Sequence, residues 1–344
     1  MMRERRRIVE LWRQGVAAAL VTLVRVEGSS YRRVGARLLV GVNGEYAGSI
    51  SGGCLEAEVV RKAAWMTRAG AVVERYSTLF DDTAEIPYGL GCGGTVDLLV
   101  EPAGTPEFEL LMEALEASLR GEARRVVTSL PEGGLPLRRA VGESAAEGIE
   151  GMEEWIEAPL RMYVFGAGDD AQPLVQMAGL MGWDATVVDG RKQWARPERF
   201  PEAVRVIAAE TFEGLAGVEI GAGDVAVVMT HSYEQDRVWM AGLLERGLRY
   251  LGLLGARHRS ALIVSETAAA LGWSVERACA GLFAPVGLDL GGDGAVAIAL
   301  AVVAEIQACC EGKLGVSQRM TPEMVAEQVA KGGASRYLQA QCSL

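Results

Sequence analysis

Residues 161–171 read RMYVFGAGDDA: a short apolar run, a glycine-rich turn, and the opening of a helical pattern. Gly166, Gly168 and Ala171 fit the spacing G-x-G-x-x-G/A, in which glycines allow a tight turn and close backbone approach while the helix N-terminus favours a phosphate. Asp189 ends the next strand, 23 positions after Gly166, where an acid can accept hydrogen bonds from a ribose hydroxyl. Further along, DATVVDG, VAVVMT, YLGLLG and LFAPVG keep alternating with helical stretches. That alternation predicts a Rossmann-like α/β domain over residues 159–344, with a doubly wound parallel sheet. Gly166, Gly168 and Asp189 are therefore candidates for holding a nucleotide, against the plainer reading of a structural turn. Asp169 and Asp170 suit the helix dipole but repel a pyrophosphate. His231, just after VAVVMT, is the candidate functional histidine at a strand's carboxyl end.

Upstream, VAAALVTLVRV and ARLLVGV read as strands around the loop GSSYRRVG. CLEAEVVRKAAWMTRAG has helical spacing, and VVERYS and TVDLLVEP are further strands. Residues 1–130 are thus expected to form a mixed α+β domain. The stretch 131–158 is rich in Gly, Glu and Pro with weak periodicity, and is expected to be a linker.

Two glycine-framed cysteines stand out here. Ser51-Gly52-Gly53-Cys54 is expected to open a helix, and Gly89-Leu90-Gly91-Cys92-Gly93-Gly94 a strand. A thiolate at a helix N-terminus is stabilised by the dipole, and glycine-rich backbone can turn N–H groups toward an anion. Such sites suit sulfur chemistry or soft-metal ligation, whereas the average cysteine is a small packing residue. Cys279, Cys309, Cys310 and Cys342 are read as structural. The basic cluster Arg32, Arg33 and Arg37 offers charge for a phosphate, although solvated surface charge is the usual fate of such residues.

The net charge of -11 excludes a protein whose main task is gripping nucleic acid. The opening MMRERRRIVELWRQG reads as an amphipathic helix rather than a signal peptide. The longest apolar run, around Ala295 to Ile306, is interrupted by Glu305 and falls short of the roughly 20 residues that cross a bilayer, so no membrane association is expected. With no CxxC pair and two histidines, a disulfide framework and a structural zinc site are set aside, and a cytoplasmic location with reduced thiols is expected.

Seven segments, GSSYRRVGARLLV, GSISGGCLEAEV, YGLGCGGTVDLLVEP, FGAGDDA, VVMTHSYEQD, YLGLLGARHR and APVGLDLGGDGAVAIALAVVAEI, together and in this order resemble the XdhC/CoxI family of xanthine dehydrogenase accessory proteins. The resemblance implies a maturation chaperone rather than an enzyme. It would bind molybdenum cofactor (molybdopterin), protect it while a cysteine desulfurase installs the sulfido ligand, and hand it to a xanthine-dehydrogenase-type molybdoenzyme. Carried onto this chain, Cys92 leads as cofactor-binding residue and molybdenum contact, with Cys54 its companion, and the N–H groups of Gly53, Gly91, Gly93 and Gly94 hold the pterin phosphate. A homodimer is also implied. Two departures stand out: Tyr31 replaces an expected proline, and Asp169-Asp170 replace the His or small residues usual in that turn. The alternative class is an NAD(P)-dependent oxidoreductase using the second domain; a third is a structural component of a molybdenum enzyme.

Overall fold

The computed structural model describes residues 2–77, 94–142 and 149–315, in two units that divide between Ala158 and Pro159. In the first, α1 (Met2–Arg13) leads into β1 (Ala17–Glu27), β2 (Arg37–Gly41), β3 (Tyr46–Gly48), α2 (Glu56–Met66), β4 (Val72–Ser77) and β5 (Thr95–Pro102). The strands form an antiparallel sheet in the order β3-β2-β1-β5-β4. Side chains alternate across a strand, so β1 serves two cores. Ala19, Val21 and Leu23 pack with Val59 and Ala63 of α2, while Leu20 packs on the other face with Ile8 of α1.

That second face continues into α3 (Pro106–Leu119), which Thr105 caps by accepting the Phe108 N–H. It is followed by β6 (Arg124–Ser129), β7 (Arg138–Val141) and β8 (Met152–Ile156), an antiparallel sheet ordered β7-β6-β8. The stretch expected as a linker is therefore part of the first unit. Val126 and Ile156 join the α1–α3 core, and Arg139 makes a buried ion pair with Glu101 of β5 at 2.8 Å. Its short strands lack a long apolar run, so their pairing partner rather than their composition fixes them as sheet.

The second unit runs β9 (Arg161–Phe165), α4 (Ala171–Met181), β10 (Asp184–Asp189), β11 (Arg205–Ala208), β12 (Val225–Val228), α5 (Tyr233–Leu244), β13 (Tyr250–Leu253), α6 (Arg257–Ala270), α7 (Val275–Cys279), β14 (Leu282–Phe283) and α8 (Ala295–Cys310). All neighbours are parallel, in the order β11-β10-β9-β12-β13-β14. Counted from β9, this is the 3-2-1-4-5-6 order of a dinucleotide-type fold, as the alternation predicts. Met162 and Val164 face the α4 and α8 side, Tyr163 and Phe165 the α5 and α6 side, so β9 is buried on both faces. Of the strands, β11 has no counterpart in the sequence pattern: four residues flanked by 3-10 turns carry little periodicity. Glu305 is buried in α8, accepting from the Tyr250 hydroxyl at 2.5 Å and the Gly287 N–H at 2.9 Å. No helix among the described residues is long and apolar enough to cross a membrane.

Candidate functional sites

The loop before α2 is built around a carboxylate. Glu56, in the helix's first turn and almost fully buried, accepts from the backbone N–H groups of Ile50 (3.0 Å), Ser51 (2.9 Å), Gly52 (3.2 Å) and Gly53 (2.9 Å). The hydroxyls of Ser49 (2.8 Å) and Ser51 also donate to it, and Ser51 Oγ in turn accepts the Leu55 N–H. Burial by itself would raise the Glu56 pKa, but the Ser51 hydroxyl, the Ser51 amide and the Ser49 hydroxyl outweigh it and bring it to about 2. The carboxylate is thus charged throughout the physiological range.

This arrangement revises the expectation for the glycines. The amides of Gly52 and Gly53 do converge on an anion, but the anion is Glu56, so Gly53 has no N–H to spare for a pterin phosphate. Gly52 (φ +86°) and Gly53 (φ +118°) supply the left-handed backbone that this convergence requires. Cys54 follows directly with its thiol free and exposed, two residues before the helix rather than in its first turn. The thiol fits soft-metal ligation by its chemistry and access. Cys92, Gly91 and Gly93 lie outside the described residues. Gly94 sits against the backbone of Glu27 and Ser29, where a Cβ would come within 2.1 Å of the Ser29 carbonyl oxygen. Of the basic cluster, Arg32 is paired with Glu4 and Arg37 with Glu154 and the Gly35 carbonyl, so both are engaged within the chain.

In the second unit, a cleft of about 290 Å³ opens outside the carboxyl ends of β10 and β12, lined by Asp189, Arg191, Glu210, His231, Gln235 and Trp239 among others. This is the side of the sheet on which such folds bind ligands. Gly166 (φ +125°) is required by its neighbour, since a Cβ would stand 2.3 Å from the Met229 carbonyl oxygen. Asp189 is buried but not free: it accepts from the Ala167 N–H (2.7 Å), the Arg191 N–H (2.8 Å) and the Arg191 guanidinium (2.9 and 2.7 Å). Burial raises its pKa, and these bonds, led by Arg191, more than reverse that. With about four acceptor positions on a carboxylate, none remains for a ribose hydroxyl.

The turn itself is occupied as well. Asp169 pairs with Arg199 at 2.7 Å. Asp170 folds back over Gly168, its Oδ1 2.6 Å from where a Cβ on that glycine would stand, while its Oδ2 meets His231 Nε2 at 2.8 Å. His231 is the only non-glycine residue with positive φ (63°) among the described residues. Sequence reasoning placed it correctly but missed its partner, Asp170, and missed Glu56, whose signal was a first-turn Glu three residues after Gly53. Cys309 and Cys310 are partly buried against the α8 core, with burial pushing both thiols up, as packing residues should be. Cys279, read as structural, is instead exposed at the end of α7. Cys342 lies outside the described residues. No cluster of metal-binding side chains occurs among the described residues.

Residues 162–306 match the family described as the XdhC Rossmann domain, and residues 11–77 match the XdhC and CoxI family. The chain is 29% identical over 315 residues to a protein of Bacillus subtilis (strain 168) named as a probable xanthine dehydrogenase subunit, covering 84% of this chain and 92% of the relative. It is 26% identical over 309 residues to the molybdenum cofactor insertion chaperone PaoD of Escherichia coli (strain K12), covering 87% and 85% respectively. A solved structure described as a xanthine dehydrogenase from Bacillus halodurans superposes with a TM-score of 0.78 at 26% identity, covering 94% of this chain and 99% of that one.

Proposed function

Because residues 162–306 match the XdhC Rossmann domain and residues 11–77 the XdhC and CoxI family, we propose that this chain is a maturation factor, not itself a catalyst, that binds molybdenum cofactor and delivers it to a xanthine-dehydrogenase-type molybdoenzyme. The observation that carries this reading is the exposed Cys54 thiol on a loop fixed by Glu56, in a chain similar over 87% of its length to a molybdenum cofactor insertion chaperone. A buried carboxylate that gathers four backbone N–H groups leaves the loop one conformation, so the thiol is presented without an ordering cost at binding. The cofactor, as cargo, brings a sulfur-seeking metal centre; Cys54 and Cys92 would hold it, with Gly91, Gly93 and Gly94 beside Cys92. The phosphate of the pterin would then be met by groups other than the Gly53 amide. Sulfuration by a cysteine desulfurase while the cargo is held, action as a homodimer and a cytoplasmic setting complete the proposal.

The test is retention of added molybdenum cofactor after gel filtration by wild type, Cys92→Ala and Cys54→Ala. Near-stoichiometric pterin and molybdenum on the wild type, falling sharply in Cys92→Ala and less in Cys54→Ala, is the expected result. A folded wild type that retains none would overturn the reading. The name of the Bacillus subtilis relative supports a second reading, a stoichiometric component of the molybdoenzyme. One-to-one co-purification with that enzyme would favour it, whereas a delivery factor associates only transiently.

A further inference from the structure

The fold of the second unit implies a dinucleotide, and the residues present do not fit one. Such a ligand asks for bare backbone at the second glycine, an unobstructed helix N-terminus, and a free acid after the second strand. Here the Asp170 carboxylate fills the space over Gly168, and Asp189 has its acceptor positions taken by Arg191 and Ala167. A pyrophosphate approaching this turn meets a carboxylate where it needs an amide.

Asp170 is largely buried, and its Oδ2 is held by His231. His231, which holds it, is locked in left-handed backbone by its neighbours. The Thr230 N–H and hydroxyl both donate to Asp236 Oδ1, at 3.1 and 2.6 Å, and the Ser232 N–H donates to Thr230 Oγ at 3.2 Å. Asp236 is fully buried and anchored on its other oxygen by Arg259 at 2.6 Å. A strained conformation persists where the surroundings over-determine it.

The rest of the crevice remains open, and one of the residues that line it carries an unmet donor. Trp239 is wholly buried in the cleft wall, packed against Phe165 and Phe212, and its indole N–H has no acceptor among the described residues. A buried donor left without an acceptor costs about 1–3 kcal/mol, which a ligand carbonyl or ring nitrogen recovers. Thr230, Ser232, Gln235 and Glu210 add hydroxyl, amide and carboxylate groups around it. The volume, about 290 Å³, lies at the small end of ligand sites and suits one heterocycle with one sugar. We propose that this crevice binds a nucleoside without phosphates, a heterocycle acceptor meeting Trp239, and that Asp170 is the residue that excludes dinucleotides. This site lies within the second unit, whereas the cysteines of the proposed cargo site belong to residues 1–130.

Equilibrium dialysis of the full-length protein against adenosine, guanosine, cytidine and uridine, and against NAD, NADP and FAD, tests it. At least one nucleoside binds with a Kd below about 1 mM, and every dinucleotide about tenfold or more weaker. Asp170→Ser raises dinucleotide affinity about tenfold by removing a like charge, with nucleoside affinity unchanged. Trp239→Phe, which keeps the ring contacts, weakens the nucleoside about fivefold to tenfold. Should Trp239→Phe fail to fold, nucleoside-dependent protection of residues 228–240 from hydrogen exchange in the wild type serves instead. The proposal is overturned by no nucleoside binding to folded wild type, by dinucleotides binding as tightly as nucleosides, by no gain in Asp170→Ser, or by absent protection. Cofactor retention in the first unit is independent of each of these results.

Discussion

Glu56 concentrates in one carboxylate the hydrogen bonding of five consecutive residues, from Ser49 to Gly53. Hydrogen bonds to a charged group contribute about 1.5–3 kcal/mol each when a partner is lost, so Glu56→Gln should cost about 2–3 kcal/mol in urea unfolding. Hydrogen exchange should show the amides of residues 50–53 protected in the wild type and not in the variant. The pH dependence has a definite sign. Because folding depresses the Glu56 pKa to about 2, its contribution is complete above the ordinary carboxylate value of 4.5 and is lost as the pH falls from there toward 2. Acid titration of stability should show that loss in wild type and a shallower one in Glu56→Gln. Glycines separate by what surrounds them. Gly166→Ala must force a Cβ to within 2.3 Å of the Met229 carbonyl oxygen and should cost about 3 kcal/mol or more. Gly53→Ala has open space and bears only the left-handed penalty, about 1–2 kcal/mol, read as a smaller fall in Tm.

Among the elements, the small sheet β7-β6-β8 is tied to β5 by a charge. Arg139 reaches Glu101 with both partners buried, and also donates to Thr128 Oγ and the Glu107 carbonyl. Removing one member strands the other charge, so Arg139→Met should destabilise the chain by about 3–5 kcal/mol. The double variant Arg139→Met with Glu101→Leu should recover most of that loss, because two apolar side chains leave no buried charge unpaired. Urea denaturation of the two variants distinguishes a paired charge from mere packing. The same logic explains α8, an almost wholly apolar helix that carries Glu305: its carboxylate is engaged by Tyr250 and Gly287, and the bond to it adds to burial in raising the Tyr250 phenol pKa.

At the scale of the molecule, the four apolar cores found among the described residues divide cleanly, two built from residues 8–156 and two from residues 160–310. Each unit therefore has what independent folding requires. A fragment beginning at Pro159 should unfold cooperatively on heating and keep near-UV circular dichroism. A fragment ending at Leu130 should not, since it lacks Ile156 of the α1–α3 core and the Arg139 partner of Glu101.

Local pattern was enough to reveal the second unit. Parallel strands buried on both faces must be continuous apolar runs, and the G-x-G turn must stand between strand and helix, so RMYVFGAGDDA and the strands after it can be read in one dimension. The order of motifs along the chain likewise carried the resemblance to the XdhC/CoxI family. Tertiary structure alone decided that residues 131–158 belong to the first unit, because β7 and β8 are short and defined by pairing with β6. It alone decided what the site residues have to offer. Whether a glycine amide or an aspartate is available depends on which group lies beside it, and those groups come from elsewhere in space: Glu56 folding back on Gly53, Arg191 filling Asp189, and His231, 61 residues from Asp170, holding it over the turn. Periodicity reports which face of an element is buried; the acceptors still free on that face are fixed only when the chain has closed on itself.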